Sequence, residues 1–68
     1  MAEYYVNRQE QANGDHEVHR ADCTYVPSEM NRIYLGTFAH CSDAVKTARK
    51  FYAASDGCKF CSSECHKR

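Results

Sequence analysis

Three cysteines and a histidine crowd together near the end of this 68-residue chain, as Cys58, Cys61, Cys65 and His66 at Cys-x2-Cys-x3-Cys-His spacing. A chain this short buries little apolar surface when it folds. That burial roughly cancels an ordering cost of about 1.5 kcal/mol per residue. Domains below about 70 to 80 residues usually make up the difference with disulfides, a metal or a partner. Five cysteines make sulfur the obvious fastener, and residues 1–68 read as one small domain.

The start, Met1-Ala2-Glu3-Tyr4-Tyr5-Val6-Asn7, has neither the basic segment nor the apolar segment of a secretory signal. No apolar run approaches the roughly 20 residues needed to span a bilayer. The expectation is a cytoplasmic protein without membrane contact. In that compartment small cysteine clusters more often bind metal or do redox work than form structural disulfides. An odd number of cysteines also argues against complete pairing. The formal net charge is zero, so nothing global points to nucleic acid or an anionic surface. The second half is the more basic one, with Lys46, Arg49, Lys50, Lys59, Lys67 and Arg68 against Asp43, Asp56 and Glu64. The simplest account is a solvated helix face and a charged tail.

Local patterning predicts an α+β fold. Tyr4-Tyr5-Val6 and His16-Glu17-Val18-His19 read as strands joined through Asn13-Gly14, a strong turn signal. Alternation would put His16 and Val18 on one face and Glu17 and His19 on the other. Thr24 to Pro27 should be extended, because a proline disfavours helix in the residue before it. Ser28 to Asn31 should form a turn or one short helical turn. Asn31 to Gly36, centred on Ile33-Tyr34-Leu35, reads as a third strand. A helix of 12 to 14 residues follows, capped by Ser42 or Asp43. Ala44, Val45, Ala48, Phe51 and Tyr52 make its apolar stripe, and Gly57 is its left-handed stop. A short last helix is expected over about Ser62 to Lys67. The predicted body is a small antiparallel sheet of two or three strands on one principal helix.

Two thiolates three positions apart can turn inward from one tight loop and supply two corners of a zinc tetrahedron. Cys58 and Cys61 are that pair, with Gly57 before them as in a zinc knuckle. His19 and Cys23, a His-x3-Cys pair at the end of the second strand, are first choice for the remaining ligands. Cys65 or His66 could replace either. The His16-Glu17-Val18-His19 run is one residue short of the metalloprotease His-Glu-x-x-His, and its histidines would not stack on one helical face. Other uses of the sulfurs remain open. A disulfide could join Cys23 or Cys41 to the terminal cluster, Cys41 could be a buried apolar thiol, and Cys-x2-Cys also serves dithiol redox chemistry. His40 reads as a surface group rather than a ligand, and His16 as a bond across the hairpin. A Cys-His nucleophile would need an orienting group and a cleft for which so small a body has little room.

Val18-His19-x3-Cys23, Leu35-Gly36-x-Phe38, Ala44-Val45 and Gly57-Cys58-x2-Cys61 together resemble small bacterial Cys/His-containing domains. More loosely they resemble the metal-binding modules related to the N-terminal zinc domain of the Ada DNA-repair protein. The resemblance covers about residues 18 to 61. It implies Cys23, Cys58 and Cys61 as metal ligands, with His19 or Cys65 as the fourth. The chain lacks the full four-cysteine order of the Ada pattern, and Cys41 and Cys65-His66 have no counterpart in it. Methyl transfer and DNA binding are therefore not implied.

The sequence thus leads to a non-catalytic module stabilised by one structural zinc ion, with metal candidates His19, Cys23, Cys58, Cys61 and Cys65. Its expected partner is another macromolecule, a protein before a nucleic acid. Its expected docking surface is the Lys46/Arg49/Lys50 side of the helix with exposed tyrosines. The alternatives are a thiol redox or metal-handling protein, and a disulfide-stabilised accessory protein without metal.

Overall fold

Tyr4-Tyr5-Val6 and the His16 run pair as their β-branched and aromatic content suggests. In a computed structural model, which describes residues 1–67, they form strands β1 (Ala2–Asn7) and β2 (His16–Arg20). The two are antiparallel, with Tyr5 opposite His19 and Val6 opposite Val18. Asn13-Gly14 closes the connection. Gly14 takes φ 89°, and the Asp15 amide donates to Asn13 Oδ1 at 2.9 Å.

A 3-10 turn at Glu29–Asn31 leads into β3 (Arg32–Phe38), antiparallel on the other side of β1. The β1–β3 register shifts between Tyr4 and Tyr5, with Leu35 as the extra residue. Gly36 meets the bend with φ 126°. Helix α1 (Cys41–Ala48) follows, then β4 (Ser55–Gly57), which pairs parallel with β2. The sheet order is β3-β1-β2-β4.

The α+β class therefore holds, but the sheet has four strands and is mixed, not two or three strands all antiparallel. Ser55-Asp56-Gly57 carries no strand propensity. It is a strand because β2 offers it a free edge, with His16 N–H bonded to Ala54 O and Cys58 N–H to Val18 O, at 2.8 and 2.9 Å.

Several boundaries move for the same tertiary reasons. The helix spans eight residues, not 12 to 14, because its last turn tightens. Lys50 and Phe51 donate to carbonyls three residues back, which turns the chain toward the sheet edge. Phe51 leaves the apolar stripe and is exposed. Tyr52 stacks on His16, their rings 3.7 Å apart. The cap is His40, whose ring accepts from the Ser42 amide, rather than Ser42 or Asp43. Gly57 lies inside β4 and does not have a positive φ. Thr24 and Tyr25 form a turn that closes on Cys23 instead of extending. The last helix is only a 3-10 turn at Ser63–Cys65.

Tyr4, Val6, Val18 and Leu35 from the sheet meet Ala44, Val45 and Ala48 from α1 in the core. Cys41 and Cys65 join that cluster and are bonded to each other as a disulfide. Among the described residues no helix is long and apolar enough to cross a membrane.

Candidate metal centre

The alternation of β2 sets the site. Val18 enters the core, so His19 points to the other face of the sheet. That face should be half-solvated, yet His19 is only 1% exposed. What covers it is sulfur. One ligand atom from each of His19, Cys23, Cys58 and Cys61 lies within 4.8 Å of all the others. A zinc tetrahedron with arms of about 2.3 Å has edges of about 3.8 Å, so the four atoms are close to a ligand shell.

Each cysteine is delivered by a tight turn. Cys23 follows β2, its amide bonded to Arg20 O at 3.0 Å. Cys58 follows β4, and Ser62 N–H returns to Cys58 O at 2.8 Å, closing the Cys-x2-Cys loop. The parallel pairing of β2 and β4 is what brings the two turns to the same end of the sheet.

Backbone amides face every sulfur of the cluster. Arg20 N–H donates to Cys61 Sγ at 3.3 Å, Tyr25 N–H to Cys23 Sγ at 3.4 Å and Phe60 N–H to Cys58 Sγ at 3.4 Å. A neutral thiol is a weak acceptor, and such donors favour thiolate. Burial opposes them. It pushes the Cys23 thiol up to about 12, against the Tyr25 amide and with help from neighbouring Cys61. Burial also raises Cys58, again against backbone amides. Burial lowers His19, with Glu17 pulling the other way, so the imidazole is held neutral and able to ligate.

Two buried atoms make no hydrogen bond. Among the described residues neither His19 nitrogen has a hydrogen-bond partner. Glu17 Oε1 comes to 3.5 Å of Nε2 without the alignment of a hydrogen bond. Buried polar groups are almost always satisfied, and a cation held by the three sulfurs would take one of these two nitrogens. The donor set thus fits zinc.

Four of the five expected ligand candidates converge here. Cys65 does not, because its sulfur is bonded to Cys41. The sequence had allowed a disulfide between Cys41 and the terminal cluster without fixing the partner. His66 also stays apart, its Nδ1 3.0 Å from Gly57 O and 3.2 Å from Asp56 Oδ2. His16 does bond across the hairpin, through Nδ1 to Asn7 O at 2.9 Å. His40 is half exposed, with its Nε2 2.9 Å from Glu64 Oε2. The sequence reading missed Glu64 and the pairing of Tyr25 with Phe60 beside the site, since neither carries a local signal. No family model, curated protein or solved structure matches the chain.

Proposed function

We propose that the chain is a non-catalytic, zinc-stabilised module that presents a fixed surface to another macromolecule. The observation that carries this reading is the His19/Cys23/Cys58/Cys61 cluster with both imidazole nitrogens buried and, among the described residues, without a hydrogen bond. Four protein ligands close a tetrahedral shell and leave no position for substrate, which favours a structural ion over a catalytic one. The ion would tie the end of β2 to the turn after β4. Glu17 is the carboxylate near the imidazole, the kind of neighbour that commonly orients a ligating histidine.

The surface beside the cluster is aromatic. Tyr25 and Phe60 are 59% and 63% exposed, with ring centroids 4.6 Å apart and Lys59 Nζ 5.3 Å from the Phe60 ring. This pair replaces the basic helix face as the favoured docking surface. Zero formal charge gives no electrostatic case for nucleic acid, so a protein partner is the better reading. The loose resemblance to Ada-related metal modules points to the same three cysteines.

The test is native mass spectrometry with and without a chelator, followed by thermal melting. The expected result is one zinc per oxidised chain and a large loss of Tm on chelation, since structural metal affinity is largely folding free energy. A metal-free chain with an unchanged melt would instead support the disulfide-stabilised reading, which the Cys41–Cys65 bond favours.

A further inference from the structure

We infer that Cys41, Cys65 and His40 form a second cation site, closed in the disulfide form and opened by reduction. Its ligand class is a thiophilic cation such as Zn2+. One ligand atom from each of the three residues lies within 4.8 Å of the others. The inference stands on these residues alone and not on the His19 cluster.

His40 is set up to ligate. Its Nε2 lies 2.9 Å from Glu64 Oε2. A carboxylate only accepts, so Nε2 carries the proton and Nδ1 the lone pair. That lone pair accepts the Ser42 amide at 3.1 Å and lies 3.9 Å from Cys41 Sγ. A carboxylate holding the distal nitrogen of a histidine is the usual support of a metal-bound imidazole. The cation would compete for Nδ1 with the Ser42 amide and with the Ser42 hydroxyl, 3.0 Å away, which makes the site weaker than one with no such rivals.

Without their bond the two sulfurs would have to separate to the edge of a zinc tetrahedron, about 3.8 Å, from backbone positions that the core holds. Cys41 opens α1 and Cys65 closes the 3-10 turn, and both are buried in the core cluster. Their Cα atoms are 6.2 Å apart. His40 is 52% exposed, so the fourth position faces solvent. Three protein ligands and one open position make an exchangeable site rather than a closed structural one. A polar cleft lined by His40, Cys41 and Glu64 opens this site to solvent.

The chemistry balances with a dithiol as reductant. Its thiolate attacks one sulfur of the Cys41–Cys65 bond, and the mixed disulfide resolves to a cyclic disulfide. Two electrons and two protons pass to the protein, giving two thiols. Zn2+ then replaces those two protons and releases them. Because Zn2+ binds only the reduced pair, it shifts the equilibrium toward the open form.

The probe is Zn2+ alone, counted by native mass spectrometry on oxidised and on dithiol-reduced, desalted protein. The reduced chain is expected to bind one more zinc than the oxidised chain. Cys65→Ser should remove that increment. Glu64→Gln, which leaves both sulfurs and the core untouched, should weaken it about tenfold. Equal zinc counts in the two redox states, with the opened bond confirmed by a gain of two hydrogens, would overturn the inference. So would an increment indifferent to both Cys65→Ser and Glu64→Gln. Zero zinc when oxidised and one when reduced, lost in Cys65→Ser, would support this site and sink the His19 cluster.

Discussion

Tyr25 and Phe60 occupy equivalent places in two unrelated turns. Each stands two residues after a buried cysteine and donates its amide to that cysteine's Sγ at 3.4 Å. Their rings then meet, centroids 4.6 Å apart. The two turns therefore meet twice, with their free thiols together on the inside and their rings in contact on the outside. An aromatic pair contributes about 0.5 to 1.5 kcal/mol beyond its area. Phe60→Ala should cost about 1 kcal/mol in urea unfolding of the zinc-loaded protein. It should also speed zinc loss to a chromogenic chelator, because the wall beside Cys58 and Cys61 is thinner. A mutant that releases zinc at the wild-type rate would show that the rings shield nothing.

Gly57 is the most closely packed of the three glycines. A Cβ there would lie 2.7 Å from Cys65 Cβ, 2.8 Å from Ser62 O and 2.9 Å from the Cys65 carbonyl carbon. Two of those atoms are backbone, so no rotamer change relieves the clash. Overpacking of this kind costs about 1 to 3 kcal/mol. Gly57→Ala should fall at the upper end of that range and disturb both sulfur centres, which flank the same turn. Gly14→Ala is the comparison. A Cβ there meets only the flexible Glu10 carboxylate, at 3.5 Å, but φ is 89°, and the change should cost about 1 to 2 kcal/mol. Equal destabilisation of the two variants would remove close packing as the reason for Gly57.

These two glycines show what local pattern can reveal. Gly14 was legible because Asn13-Gly14 forms its turn with its own neighbours. Gly57 was read as a helix stop, since its real constraint comes from Cys65 folding back across the strand. The same division runs through the chain. β1, β2 and α1 announce themselves by alternation and apolar spacing. β4 is a strand only because β2 lends it an edge. Cys58, Cys61, His19 and Cys23 were legible through ligand spacing, whereas the partner of Cys41 was open because loop closure leaves several pairings equivalent in sequence.

The metal-free protein should be least stable at both ends of the pH scale. Burial holds His19 below its ordinary value of 6.5. As pH falls below that value the unfolded chain takes the proton first, so stability is lost toward acid. Burial holds Cys23 up at about 12 against 9.0 when unfolded, and Cys58 is raised as well. As pH rises above 9.0 the unfolded chain loses protons first, and stability falls again toward 12. Zinc reverses the alkaline limb, because a bound cation stabilises the thiolates. Denaturation midpoints of chelated and zinc-loaded protein from pH 5 to 10 test this, and identical profiles would count against a metal at the cluster.

The Cys41–Cys65 bond spans 24 residues, and a loop of that size stabilises by about 3 kcal/mol through the unfolded chain. Reduction should therefore lower the urea midpoint without unfolding a zinc-loaded chain, whose metal contributes more than this. With chelator present, reduction should unfold much of the population, because both fasteners are then gone. Amide spectra in the four combinations of reductant and chelator would show it. A chain that stays folded with neither fastener would place its stability in the apolar core.

His19 separates metal from packing most sharply. Without a cation it is a buried imidazole whose nitrogens make no hydrogen bond among the described residues, with only Glu17 Oε1 near Nε2, at 3.5 Å, a burden of about 1 to 3 kcal/mol for an unsatisfied group. His19→Leu removes that burden while filling a similar volume. In the presence of chelator the variant should be as stable as the wild type or more so. In the presence of zinc the order should reverse, because the leucine cannot ligate and the closed shell loses its fourth corner. Urea unfolding of both proteins under both conditions measures the crossing directly. A variant less stable than wild type by the same amount with and without zinc would mean that the imidazole matters for its shape alone, and that the three sulfurs hold no ion with it.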